Sequence, residues 1–154
     1  MQMIVFCGIQ GAGKSTFYRE HLWQTHIRLS MDMLKTRHRE EILLHACLAA
    51  QQPLVIDNTN ATSDRRARYL RLAKAAGFRA VLYYFETTVP DALARNATRT
   101  GKDRIPDLAI RGTFKRFQLP TPQEGFDELY RVRVVPSGHF TLSPWPDDPQ
   151  PQHP

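Results

Sequence analysis

The sequence predicts a three-layer α/β domain, in which a parallel sheet of about five strands lies between helices on both of its faces. Two observations predict this class. Runs of strand length are apolar throughout, as in residues 3–7 and 54–57, which is typical of strands buried on both faces. Each such run is followed by a longer segment of helical pattern, and this alternation indicates parallel connections. The chain of 154 residues, 42% of them hydrophobic, is long enough for one such core.

The elements follow one another in a regular order. Apolar and β-branched runs predict strands over residues 3–7, 26–30, 54–57, 78–85 and 130–135. Helical patterns predict helices over residues 14–23, 32–51, 64–76, 89–98 and 107–118. Pro53 separates the second helix from the third strand, and Gly77 ends the third helix. In such a sheet, ligands are expected at the carboxyl ends of the strands.

The chain divides by composition into a folded body and a tail. Residues 1–135 form the predicted domain, and residues 136–154 hold six of the eleven prolines, which predicts a flexible tail. No run approaches the roughly 18 apolar residues of a membrane span, and residues 1–5 contain no leader, so we expect a cytoplasmic protein without membrane contact. Two cysteines provide neither a disulfide framework nor zinc-ligand spacing.

A glycine-rich segment between the first strand and the first helix carries the clearest motif. It fits G-x-x-x-x-G-K-[ST], a loop whose backbone N–H groups hold phosphates while the lysine reaches the β- and γ-phosphates. The serine hydroxyl is a ligand for magnesium. The alternative is a glycine-rich turn without function. The residues that we expect to bind ATP here are Gly8, Gln10, Gly11, Ala12, Gly13, Lys14, Ser15 and Thr16.

Carboxylates follow two further strands. Asp32 comes after the second strand, where it is placed either to accept the proton of an attacking hydroxyl or simply to cap the next helix. Asp57 ends the third strand, which is the position of a magnesium-holding carboxylate together with Ser15. Asn58 and Thr59 follow as polar groups on the same rim, and they are also typical of a turn that satisfies its own backbone.

Basic residues are concentrated in two segments. Residues 95–116 carry seven basic side chains against two acidic ones, and the loop at 100–106 is suited to be a lid that closes over a triphosphate. Arg95 and Arg99 share one helical face there. The second cluster, on the helix at 64–76, is expected to be a solvated face. The formal charge of +6 favours an anionic partner such as a polynucleotide.

Taken together, these motifs resemble the kinase domain of polynucleotide 5′-hydroxyl kinases, among the small P-loop kinases. The resemblance rests on residues 28–32, 56–60 with 64–69, and 95–106. It implies an adenylate-kinase-like P-loop fold, with ATP as phosphate donor and Mg²⁺ as cofactor. Asp32 would be the general base and Arg99 a lid arginine that stabilises the transferring phosphoryl group, with Lys14 as the third catalytic residue.

The resemblance also implies an acceptor site made by Asp32, Lys35, Arg37, Asn58 and Thr59. The family's viral member has an arginine three residues after the base, whereas this chain has Lys35 there and Arg37 two residues further on. Lysine keeps the charge but loses the bidentate geometry of arginine, so either residue is a candidate for the acceptor phosphate.

The predicted function is therefore an ATP-dependent kinase that phosphorylates a hydroxyl, with the 5′ end of RNA or DNA as the first candidate acceptor. A small-molecule kinase of the same fold and a non-catalytic ATP-binding module that docks nucleic acid or protein are the alternatives. Separate repair or processing enzymes are the partners that the resemblance implies.

Overall fold

Strands that are buried along their length form the centre of one sheet. The computed structural model describes residues 1–146. The strands are β1 (Gln2–Cys7), β2 (Ile27–Leu29), β3 (Leu54–Asp57), β4 (Arg79–Phe85), β5 (Glu128–Val134) and β6 (Phe140–Pro144). Their spatial order is β2-β3-β1-β4-β5-β6, and all neighbours are parallel except β5 and β6. The predicted α/β class with a largely parallel sheet is confirmed.

Helices cover both faces of the sheet, and the side chains of β1 alternate between these two faces. The helices are α1 (Lys14–His21), α2 (Met31–Leu34), α3 (Arg37–Ala49), α4 (Ser63–Ala75), α5 (Val89–Ala97) and α6 (Asp107–Arg116). Met3 and Val5 pack in one cluster with buried side chains of α3 and α4. Ile4 and Phe6 pack in a second cluster with Phe17 of α1. Within the part of the chain that the structure describes, no helix is both long and apolar enough to span a bilayer.

The helix predicted over residues 32–51 is wrong, since two helices stand in its place. Lys35 caps α2 with a φ of 70° and its N–H donates to the carbonyl of Met31. Thr36 then caps α3, its side chain accepting a hydrogen bond from the backbone N–H of Arg39. A positive φ is uncommon for lysine, and the sequence has no glycine or proline at this position to indicate a break.

The flexible tail predicted from residue 136 is wrong for residues 140–146. A turn with Gly138 at a φ of 85° reverses the chain, and β6 then pairs antiparallel with β5. The Phe140 ring packs edge-on against Phe17 at 5.2 Å, and the Trp145 ring packs against Tyr84 at 5.2 Å. This burial of aromatic side chains holds the segment on the sheet. The remainder of the predicted tail, 147–154, lies outside the described residues.

Candidate active site

A cavity of about 270 Å³ opens at the carboxyl ends of β1, β2 and β3. The loops that follow these three strands bring together most of the predicted site residues. Its lining consists of Gln10, Gly11, Gly13, Lys14, Ser15, Thr16, Met31, Asp32, Arg37, Asp57, Asn58, Thr59, Arg99 and Ile105. Of the remaining predicted residues, Gly8 and Ala12 belong to the loop behind the lining.

The loop between β1 and α1 requires glycine at its closest approaches to the rest of the fold. Gly11 has a φ of 80°, and a Cβ there would lie 2.8 Å from the carbonyl oxygen of Ala92. Gly13 has a φ of 95°, and a Cβ there would lie 3.0 Å from the Phe140 ring of β6. The loop is therefore packed between α5 and β6, with its N–H-rich end at the start of α1, a geometry suited to anions.

Lys14 is held across the mouth of this loop. Its Nζ donates hydrogen bonds of 2.8 Å to the carbonyl oxygens of Gly8 and Ile9. Burial lowers the pKa of Lys14 to about 8, and the nearby Asp57 carboxylate opposes part of that shift. An ammonium group that is poorly solvated and close to loop carbonyls binds a phosphate more strongly than one in water does.

Ser15 and Asp57 meet in the position expected of magnesium ligands. Ser15 Oγ donates to Asp57 Oδ2 at 3.0 Å, and the Asp57 side chain is only 3% exposed. Neighbouring ligands of octahedral magnesium, at about 2.1 Å from the metal, lie about 3.0 Å apart. The two oxygens therefore fit magnesium by chemistry and by spacing.

Arg28 of β2 shares both of these oxygens, a contact that no sequence pattern indicated. Its Nε donates to Asp57 Oδ2 at 2.7 Å and its second guanidinium nitrogen donates to Ser15 Oγ at 3.0 Å. In the sequence, the only sign of this contact is a single arginine within a short predicted strand. The guanidinium neutralises the nearly buried Asp57 carboxylate, which would otherwise be costly to bury.

Asp32 faces the cavity from the first turn of α2. Ser30 and not Asp32 occupies the N-cap position of α2, so the interpretation of Asp32 as the helix cap is wrong. Asn58 Oδ1 accepts a hydrogen bond of 2.9 Å from the backbone N–H of Met31, and this bond fixes the start of α2 to the end of β3. Within residues 1–146 the Asp32 carboxylate makes no hydrogen bond or ion pair, and it is accessible to a ligand.

The basic candidates fall into two groups. Arg37 and Arg99 line the cavity, whereas Lys35 is exposed outside it as the cap of α2. Arg95 also lies outside the lining, and its guanidinium donates to the carbonyl of Gly11 at 2.8 Å and to Thr87 Oγ1 at 3.0 Å. In this arrangement Arg95 supports the loop from behind.

The helix at 64–76 is only in part the solvated basic face that we predicted, since Arg65, Arg71 and Lys74 are exposed whereas Arg66 and Arg68 form ion pairs. Arg66 of α4 is fully buried and donates twice to the carboxylate of Glu124, at 2.9 and 2.8 Å. Arg68 donates to the fully buried Glu40 at 3.2 Å. Both carboxylates are distant in sequence, and helical periodicity alone contains no indication of them.

The sequence matches a family model and a curated relative over most of its length. A family model described as "AAA domain" matches residues 3–120. A bifunctional polynucleotide phosphatase/kinase of Schizosaccharomyces pombe is 27% identical over 135 residues, which is 85% of this chain and 33% of that protein. The chain thus spans about a third of the length of this relative.

Solved structures share the fold. Kti12 of Chaetomium thermophilum, in complex with ADP-AlF3, superposes with a TM-score of 0.62 at 17% identity, covering 88% of this chain and 92% of that one. A gluconokinase from Sinorhizobium meliloti superposes with a TM-score of 0.60 at 18% identity, covering 87% and 83%. At these identities the likeness concerns the fold, which is that of P-loop kinases.

Proposed function

The chain belongs to the AAA domain family, and we propose that it transfers the γ-phosphate of ATP to the 5′-hydroxyl end of a polynucleotide. One observation carries the proposal. The unpaired Asp32 carboxylate lines the same cavity as the phosphate-binding loop, so a hydroxyl held by Asp32 would face a phosphate held by the loop. A nucleotide-binding module without an acceptor has no need of such a carboxylate.

The loop side of the cavity would bind the donor. Backbone N–H groups at the start of α1 and the Lys14 ammonium would hold the β- and γ-phosphates, and Arg99 would approach from the lid. Ser15 and Asp57 would hold magnesium, which when bound supplies positive charge against the phosphate oxygens. Lys14 and Arg99 would oppose the negative charge that develops as the γ-phosphoryl group moves.

The opposite side of the cavity would bind and activate the acceptor. The hydroxyl oxygen forms a bond to the γ-phosphorus, the bond from that phosphorus to the bridging oxygen breaks, and ADP leaves. The proton of the hydroxyl passes to the Asp32 carboxylate. Arg37, at the same rim, would hold an acceptor phosphate, with Asn58 and Thr59 as hydrogen-bonding groups beside it.

Two observations favour a polynucleotide over a neutral small acceptor. The matched relative from Schizosaccharomyces pombe is a polynucleotide phosphatase/kinase, and its similarity extends over 85% of this chain. The chain also carries a net charge of +6, and Arg37 is among the residues that line the cavity. A sugar hydroxyl would not require that charge.

An acceptor panel tests the proposal. Transfer of labelled γ-phosphate is measured with 5′-hydroxyl RNA, 5′-hydroxyl DNA, the 5′-phosphorylated forms of both, and a neutral sugar. We expect transfer to the 5′-hydroxyl ends alone, with an affinity that falls steeply as salt rises. Asp32→Ala should abolish transfer, while Asp64→Ala, an exposed carboxylate outside the cavity, should not. Transfer to the sugar with no dependence on salt would instead identify a small-molecule kinase.

A further inference from the structure

A second cavity of about 300 Å³ lies beside the candidate active site and is strongly basic. We call it the arginine pocket, because its lining is Arg37, Arg65, Arg68 and Tyr69. Arg37 comes from the start of α3, and the other three residues come from α4. None of its lining residues except Arg37 also lines the first cavity.

Glu40 lies beneath the arginine pocket and holds three of its side chains by hydrogen bonds. Its side chain is fully buried, and it accepts hydrogen bonds from Arg37 at 3.1 Å, from Arg68 at 3.2 Å and from the Tyr69 hydroxyl at 2.8 Å. A buried carboxylate must be paired, so these contacts hold the two arginines in fixed orientations. Fixed donors bind an anion with less loss of conformational entropy than mobile surface arginines do.

The three arginines of the arginine pocket carry more positive charge than the Glu40 carboxylate neutralises. Arg37 uses one terminal nitrogen for Glu40 and Tyr69, and its Nε and its other terminal nitrogen have no hydrogen-bond partner among residues 1–146, so they are available to a ligand. Glu41, at the exposed rim, pairs with Arg68 at 3.6 Å. Arg65 makes no ion pair within residues 1–146, so neither carboxylate accounts for it. Convergent guanidinium groups with free N–H donors are the chemistry that recognises phosphate.

The arginine pocket is connected to the candidate active site through two residues. Arg37 lines both cavities. Asn58 lines the first cavity, and its side chain joins the backbone N–H of Met31 to the Glu40 carboxylate, at 2.9 and 3.1 Å. An acceptor that places its hydroxyl at Asp32 and its first phosphate at Arg37 would therefore extend toward Arg65 and Arg68.

We propose that the arginine pocket binds a second phosphate of the acceptor, and so gives the enzyme a preference for chains of at least two nucleotides. This inference rests on the proposed function, since it adds a subsite to the same acceptor. Arg65 would be the residue that distinguishes a chain from a single nucleotide. Arg37 would be shared between the first phosphate and the second.

Binding measurements by titration calorimetry test this subsite. The ligands are a nucleoside 3′-monophosphate, the corresponding dinucleotide 3′-phosphate, each with a free 5′-hydroxyl, and inorganic phosphate as a free anion. For the unmodified protein we expect the dinucleotide to bind roughly tenfold more tightly than the mononucleotide, as one charge-assisted contact to phosphate implies. Arg65→Ala should remove that difference and leave mononucleotide binding unchanged. Arg71→Ala, an exposed arginine of the same helix outside the arginine pocket, should keep it.

The outcomes separate this proposal from the proposed function. Equal binding of the two nucleotides, absence of binding by both, or equal effects of Arg65→Ala and Arg71→Ala would overturn the subsite. Binding of inorganic phosphate that depends on Arg65, without a gain for the dinucleotide, would overturn it as well and indicate a site for a free anion. An Arg65-dependent gain for the dinucleotide without phosphoryl transfer would retain the subsite and refute the kinase activity.

Discussion

The affinity for ATP should fall as the pH rises from neutral to alkaline, because Lys14 loses its proton in that range. Burial lowers the pKa of Lys14 to about 8 in the free protein. Bound phosphates favour the charged form, so the lysine stays protonated in the complex, and deprotonation of the free protein opposes binding. For a pKa of about 8, the charged fraction falls about tenfold between pH 7 and pH 9, which corresponds to about 1.4 kcal/mol of binding free energy.

Titration of ATP into the protein across this pH range measures the effect. The terminal phosphate adds little, since the second ionisation of a phosphate monoester has a pKa of about 6 and is nearly complete at pH 7. Lys14→Met removes the titrating group, so its weaker affinity should not change with pH. A constant affinity for the unmodified protein, or an equal fall in Lys14→Met, would refute the assignment of Lys14 as the charged phosphate ligand.

Three further changes have outcomes that follow from single contacts. Arg28→Ala removes the guanidinium that contacts Ser15 Oγ and Asp57 Oδ2, the two oxygens proposed to hold magnesium. A magnesium titration followed by the fluorescence of a bound nucleotide analogue should therefore reach its midpoint at a lower concentration, and an unchanged midpoint would contradict competition between the guanidinium and the metal. Gly11→Ala places a Cβ 2.8 Å from the carbonyl oxygen of Ala92, whereas a Cβ at Gly101, which also has a positive φ, meets nothing within 4 Å. ATP binding measured by calorimetry should therefore be lost in Gly11→Ala and kept in Gly101→Ala. Equal losses in both variants would refute the packing argument. Arg66→Ala removes the arginine that donates to Glu124 and to the carbonyl of Asn60. The free energy of unfolding in urea should fall by about 3 kcal/mol, against less than about 0.5 kcal/mol for Arg65→Ala. Comparable losses in the two variants would contradict the burial of the Arg66–Glu124 pair.

The elements with local patterns were predictable from the sequence. Three of the five parallel strands, β1, β3 and β4, are mainly apolar, and the phosphate-binding loop is a contiguous motif between β1 and α1. The carboxyl ends of parallel strands meet at one edge, and this rule alone brings Asp32 and Asp57 to the loop. The fold class and the core of the candidate site therefore follow from short segments.

The features that sequence reasoning missed depend on distant partners. β6 is stable because Phe140 packs against Phe17, a residue far earlier in the chain, and its prolines predicted a tail. Arg66 is buried because Glu124 lies opposite, and Arg68 is ordered because Glu40 is buried beneath it. The break at Lys35 requires a conformation that lysine rarely adopts. For β6, Arg66 and Arg68, tertiary contacts override the local pattern.

The proposed proton-accepting role of Asp32 is tested most directly by a single-turnover rate with saturating ATP and a 5′-hydroxyl oligonucleotide. Asp32→Asn keeps the size of the side chain and removes the charge that accepts the proton. Loss of a general base predicts a rate about 10² to 10⁴ lower, with the affinity for ATP unchanged. A rate within a few fold of that of the unmodified protein would contradict the assignment of Asp32 as the proton acceptor and the proposed mechanism with it.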